Sequence, residues 1–534
     1  MSRSRTELTS EFLTATKRRI ETAVVPALER IYGHGEPTFR EDFGPGLKPF
    51  EKVVSFYDYA ACGLSVLAPL AVAGVARAQR LLQILQQNMA HYCHEVHGHE
   101  VSGHGVWRVP LRRLLLHIAI AYRVLERGLA SEARRQFRDL VEQQVPLAIA
   151  YCGQFKPGRN DLYLAGVNNH TAIFMQGIWY CGQVFGRQDW IELAREFAER
   201  YYASGHSDGY FEEHTNAERE GGPSLVYTPL TAGGLYDVLD GLNRPREKFV
   251  KAGDVFRTFL NDHREVIPIA DERTNFHDAW ACYGLALHSL TPRGRAFIRE
   301  SLESMDFADA CPETLAVVYH ELDLMQTGAT EMPEYRTDGA CRITLPLGVV
   351  RGGAFTAGIS ALRALNRTLA PGLDYALDQQ TMVYLLHRDA GVILTGFKSK
   401  RDPAYSTFRL GDDAYTVRTG TLAMGETWAE ATLQYETFTG TVRWDIGQQA
   451  RLTLRVDTDR SVVTTLPATR AAAIRSAVPV EMVRLKGFSP YSHGNAAPEV
   501  PALQFRWEKE LMIEFGVADR PKAGVISDDE REDI

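Results

Sequence analysis

The stretch Gly166-Val167-Asn168-Asn169-His170-Thr171-Ala172-Ile173-Phe174-Met175-Gln176-Gly177-Ile178-Trp179-Tyr180 sets two amides and an imidazole ahead of an apolar, aromatic run. The run reads as a buried helix, with Asn168 or Asn169 near its N-terminal end. Downstream, Asp208-Gly209-Tyr210-Phe211-Glu212-Glu213-His214 precedes Arg219 and a Gly221-Gly222-Pro223 turn, and Tyr227 opens a further helix before Thr228-Pro229. Amides, a histidine, an arginine and a tyrosine at the starts of two helices suit binding, and proton abstraction, beside a carboxylate.

Outward from this stretch, helical periodicity holds from about residue 9 to 327. The spacing predicts helices over 11–31, 64–89, 111–127, 131–151, 171–184, 189–202, 229–239, 245–260, 278–290, 292–305 and 313–325, with short Gly, Pro or Asp breaks. So many short-linked helices in succession suit an α/α solenoid or closed toroid. The texture changes near Pro333-Glu334-Tyr335. Residues 341–350 start a strand pattern, 382–387 and 392–394 flank an Asp389-Ala390-Gly391 turn like a hairpin, and alternation returns over 441–444, 450–456 and 505–507. The expected domains are therefore an α/α toroid over 1–335, an antiparallel β-sandwich over 336–523 with a helical insertion near 359–369, and an acidic solvated tail over 524–534.

At 534 residues the chain exceeds one ordinary core, and 45% hydrophobic with 24% charged residues is usual for a globular protein. A formal charge of −8 argues against nucleic-acid or anionic-membrane partners, so an anionic substrate needs local arginines. No apolar run reaches the roughly 18–20 residues of a membrane span. The N-terminus lacks the apolar stretch of a secretory signal, and the seven scattered cysteines form no CxxC pair, so the expected setting is cytoplasmic. Oligomeric state is not readable.

A helical toroid followed by a β-sandwich is the plan of several polysaccharide lyases. On that plan Asn169-His170, then Arg219, then Tyr227 eight residues later, resembles the Asn-His…Arg…Tyr set of alginate-lyase-like and heparinase-like uronate lyases. The resemblance implies a lyase that cleaves a glycosidic bond next to a uronic acid by β-elimination and leaves a 4,5-unsaturated uronate end. Asn169 and Arg219 would neutralise the substrate carboxylate, with His170 beside them, and Tyr227 would protonate the leaving oxygen. The base would be Tyr227 in a syn elimination or His170 in an anti elimination. No metal or organic cofactor is implied. The partner is a uronate-containing oligo- or polysaccharide; an imported oligosaccharide fits a cytoplasmic setting best.

Each residue has a plainer alternative. Asn169 can simply cap its helix, Tyr227 can be a core aromatic, and Arg219, between Glu218 and Glu220, can be a solvated charge. Asn168, Glu213, His214, Arg273, His277, His97 and Trp107 are further candidates for substrate contact, and Tyr57 and Tyr59 for stacking on sugar faces. The His91-Tyr92-Cys93-His94-Glu95-Val96-His97-Gly98-His99-Glu100 cluster, with His104, has spacing that suits zinc on one helix face, against a His-rich polar loop as the simpler reading. The rival enzyme is a glycoside hydrolase using a pair among Asp208, Glu212, Glu213 and Asp271. A non-catalytic saccharide-binding protein is the third reading.

Overall fold

The computed structural model describes residues 7–35, 49–96, 111–153, 169–211, 225, 228–239, 246–267, 269, 284–362, 383–394, 408–410, 413–414, 417–468, 472–486 and 499–517. The chain divides into two compact units, Met1–Arg257 with Ala279–Arg336, and Thr258–Asp278 with Thr337–Ile534.

The first unit holds twelve α-helices among the described residues: α1 (Ser10–Tyr32), α2 (Pro49–Val72), α3 (Ala76–His91), α4 (Leu114–Leu125), α5 (Ser131–Gly153), α6 (Asn169–Phe185), α7 (Gln188–Ser204), α8 (Thr228–Leu239), α9 (Glu247–Thr258), α10 (Leu285–His288), α11 (Pro292–Ser304) and α12 (Pro312–Glu321). The even-numbered helices touch in the sequence α2, α4, α6, α8, α10, α12 and back to α2, so the ring closes as an α/α toroid. Composition sorts the layers. Inner α4 and α6 are apolar nearly all round, as a helix covered on every side must be. Outer α7 and α11 confine their buried residues to one stripe. Start signals also agree with the chain: Thr9 accepts the Phe12 N–H at α1, and Thr291 accepts the Gly294 N–H ahead of Pro292 at α11.

Two expectations need correction. The single helix over 64–89 is instead the end of α2 and most of α3, broken at Gly74, whose φ of 86° is a left-handed conformation that ends a helix. Second, Lys52–Val72 has the length and apolarity of a membrane span, with mean hydropathy 1.4, although no sequence run was expected to reach it. It is 78% buried inside the unit, where α1, α3, α4 and α12 cover it, which accounts for its apolar faces.

In the second unit, two strand layers enclose one core. One layer is a six-stranded antiparallel sheet in the order β10 (Thr419–Gly425), β11 (Trp428–Gln434), β12 (Thr439–Ile446), β13 (Ala450–Val456), β18 (Glu510–Val517) and β15 (Ala472–Ser476). Facing it is the meander β3 (Gly339–Arg342), β4 (Leu347–Gly352), β5 (Phe355–Ser360), β6 (Val383–His387) and β7 (Gly391–Leu394). A further sheet, β16 (Val480–Lys486), β17 (Glu499–Trp507), β14 (Val462–Pro467), β8 (Arg409–Leu410) and β9 (Asp413–Ala414), adjoins the meander through a Leu394–Ala468 bridge. In the first unit, β1 (Glu7–Leu8) pairs with β2 (Gly328–Ala329). Strict alternation along β12 points Val442, Trp444 and Ile446 into the core. Each such large side chain, fully buried, contributes roughly 1.5–3 kcal/mol.

The fold class is therefore the expected one, a helical toroid and then an antiparallel sandwich. Its details differ in two places. The strand pattern over 341–350 is two strands parted near Pro346, and Ile359 and Ser360 end β5 rather than starting a helical insertion. Ala361 and Leu362, which follow, are not helical either, and 363–369, Cys282 and the tail lie outside the described residues.

Candidate active site at one end of the helical ring

The helix α6 opens on Asn169 and His170. Asn169 is buried, and its Oδ1 has no hydrogen-bond partner. Capping by that oxygen, the plainer alternative for this residue, is thus not realised. His170 is half-buried. Thr171, the next residue, accepts a 2.8 Å bond from the Tyr201 hydroxyl, which ties the first turn of α6 to α7.

Helices α6 and α8 run parallel. A Cβ on Gly234 would meet the Ala172 carbonyl oxygen at 3.2 Å, and three residues further on, Asp237 accepts from Gln176 Nε2 at 2.7 Å and from the Tyr180 hydroxyl at 3.0 Å. Asn169 stands three residues before Ala172, and Thr228 six before Gly234. At about 1.5 Å per residue both helix starts fall at the same end of the ring. Two positive helix ends side by side favour an anion there. Thr228 donates its hydroxyl to Phe211 O at 3.3 Å, fixing the start of α8. Tyr227 is the residue before Thr228 in the chain.

Behind this end the ring interior carries polar groups that sequence reasoning did not single out. His320 Nε2 of α12 lies 2.9 Å from Asp237 Oδ2. Burial alone would lower the His320 pKa, but the Asp237 hydrogen bond and charge, with Glu321 and Asp323, leave it raised. Glu321 accepts the Gly284 and Ala286 N–H groups at 2.9 and 3.0 Å. Burial pushes its pKa up to about 7, against those two bonds and the charges of His320 and Arg113. On α2, burial likewise lifts Asp58 to about 6, although it accepts the Arg113 N–H and has Arg112 nearby. On α4, burial first and then the Arg113 and His320 charges hold His117 well below the usual histidine range. Gln176, His320, Glu321 and Arg113 line a small cleft with Gly233 and Gly284. The available signal was a polar residue inside an apolar helix run: Gln176 in α6, Asp237 in α8, His320-Glu321 closing α12.

Other predicted residues separate. Arg219, Tyr227, Asn168, Glu213, His214, Arg273, His277, His97 and Trp107 lie outside the described residues, as do Glu212, Asp271, His99 and His104. Tyr57 is a core aromatic, 5.2 Å from both Phe56 and Tyr92 between ring centroids, which leaves no face for a sugar. Of the rival carboxylates, Asp208 is 3.4 Å from His206 within its own loop. His91 closes α3, and His94 and Glu95 sit in a π-helical turn, Tyr92–Val96. Among the described residues no three His, Cys, Asp or Glu side chains are grouped as a metal site.

With this geometry in hand, solved structures give the comparison. A chondroitin AC lyase of Streptomyces coelicolor A3, in complex with chondroitin sulphate, matches 96% of this chain and 83% of its own at TM-score 0.56 and 14% identity. A heparinase III matches 97% and 87% at 0.52 and 8%, and a Paenibacillus xanthan lyase 96% and 58% at 0.53 and 10%. The chain has the fold of these polysaccharide lyases. No family model and no curated protein matches it.

Proposed function

We propose that the chain is a lyase that cleaves the glycosidic bond beside a uronic acid by β-elimination, acting on uronate-containing oligosaccharides or polysaccharides. The observation that carries the reading is Asn169: a buried amide with an unpartnered oxygen, at the end of the ring where two helix starts meet, in a chain with the lyase fold. A buried acceptor without a partner costs about 1–3 kcal/mol, which a sugar hydroxyl donating to Oδ1 recovers, while the amide N–H of the same side chain is the group able to donate to a carboxylate.

The chemistry sets the roles. The proton at C5 of a uronate is too weakly acidic to leave unless charge developing on the neighbouring carboxylate is stabilised. Asn169 and Arg219 supply that stabilisation. The base removes the C5 proton, the C4–O bond breaks, a C4=C5 double bond forms, and the departing oxygen takes a proton from Tyr227. For a syn elimination Tyr227 is also the base, and its phenolate is favoured by the Arg219 charge. For an anti elimination the base is His170. The scheme uses no metal or organic cofactor.

The test is ultraviolet absorbance during incubation with alginate, glucuronan, glycosaminoglycan and rhamnose–glucuronate fragments. A conjugated double bond absorbs; a hydrolysed end does not. Rising absorbance on one substrate supports the reading and names the uronate. New reducing ends without absorbance transfer the reaction to a carboxylate pair and a hydrolase.

A further inference from the structure

Glu321 has a connection to α8 that runs through one glycine. Its two carboxylate oxygens each hold one backbone N–H, those of Gly284 and Ala286, on either side of the first residue of α10. Gly284 is in the left-handed region, with φ of 66°, and its backbone is wedged against α8. A Cβ there would lie 2.5 Å from Pro229 O and 3.0 Å from Pro229 C. One turn along, a Cβ on Gly233 would lie 3.1 Å from Gly284 Cα. The first turn of α8 therefore has two supports: Phe211, through Thr228, and Gly284, through Pro229 and Gly233. Glu321 is what holds the second support in place from the far side.

We propose that Glu321 is a positioning residue: by gripping Gly284 it fixes the first turn of α8, the helix that Tyr227 precedes in the chain. The proposal rests on the role given to Tyr227 above. A plain helix cap on α10 would serve only a four-residue helix, and it would leave α8 unaffected when removed. A proton donor, by contrast, loses rate steeply with small displacements, on the order of a hundredfold for 1 Å. The carboxylate need not touch substrate to matter.

The experiment uses the full chain and two readouts, steady-state elimination and hydrogen–deuterium exchange. Glu321→Gln keeps the side-chain shape but leaves one acceptor oxygen for two N–H groups. The expected result is a kcat lower by about tenfold to a hundredfold with KM within about twofold, together with faster exchange over 232–239 as well as 284–290. Tyr335→Phe, which deletes the 2.7 Å bond to Glu300 in the same unit, reports destabilisation alone and is expected to leave kcat unchanged. Should Glu321→Gln not fold, Gly233→Ala disturbs the same wedge from the α8 side. Faster exchange confined to 284–290 with kcat unchanged overturns the proposal. A parent chain that eliminates no uronate, while Glu321→Gln still loosens α8, overturns the lyase reading and leaves the linkage from Glu321 to α8 supported.

Discussion

His320 Nε2 lies 2.9 Å from Asp237 Oδ2, and through that contact α12 is joined to α8 inside the ring. The same carboxylate accepts from Gln176 and Tyr180 of α6. One buried aspartate thus holds together the helix that begins with Asn169, the helix that follows Tyr227 and the helix that ends with Glu321. Removing one member of such a network leaves the others buried without partners.

Asp237→Ala is accordingly expected to destabilise the fold by about 3 kcal/mol. Denaturant unfolding followed by circular dichroism measures this. A change under about 0.5 kcal/mol, the ordinary range of surface substitutions, would contradict the assigned role.

Stability should fall as pH rises through neutrality. Glu321 titrates at about 7 in the folded chain against a usual 4.5, because burial opposes its charge, so the folded state keeps a proton that the unfolded state releases between those values. Asp58, lifted by burial to about 6 from 3.8, acts in the same sense. His320 adds to it: its folded pKa lies above 6.5, so its stabilisation is complete below that value and is lost as pH rises through the folded one. Below about pH 6.5 the buried His117 and His288, both held well below the usual histidine range by burial, oppose this trend, so melting temperatures are expected to decline from about pH 6.5 to about pH 8, less steeply in Glu321→Gln. An identical slope in that variant would rule out the buried, raised Glu321.

Asn169 offers a dissociation between stability and activity. Its Oδ1 makes no hydrogen bond, so Asn169→Ala is expected to cost no more than about 1 kcal/mol of stability. Losing one group that stabilises transition-state charge lowers kcat by about 10²–10³-fold. Parallel melts and rate assays decide it. A large loss of stability with turnover intact would return Asn169 to a structural role.

Tyr227→Phe keeps the ring and removes the transferable proton. Turnover is expected to drop by about 10²–10⁴-fold while saccharide binding, measured calorimetrically, persists. Undiminished turnover would assign the proton transfers elsewhere.

Much of the architecture was legible in the chain because period and punctuation agree. Residues 131–151, 189–202 and 292–305 read as helices, and α5, α7 and α11 cover them within two residues at each end. The turn at Asp389-Ala390-Gly391 joins β6 to β7, with Gly391 at φ of 85°. The break at Gly74 was harder, since a lone glycine among good helix formers is tolerated as often as it terminates. At the site, residue order along the chain pointed to Asn169 and His170 at a helix start. Asp237, His320 and Glu321 escaped because their meaning is a long-range contact: 83 residues separate the Asp237–His320 pair, and 37 separate Glu321 from Gly284. No local pattern encodes ring closure.

The most direct measurement is the ratio of unsaturated ends to new reducing ends when the purified chain acts on the uronate panel. β-Elimination predicts one conjugated double bond for each bond cleaved, with both signals lost together in Tyr227→Phe. Reducing ends that accumulate with no matching ultraviolet absorbance would contradict the account.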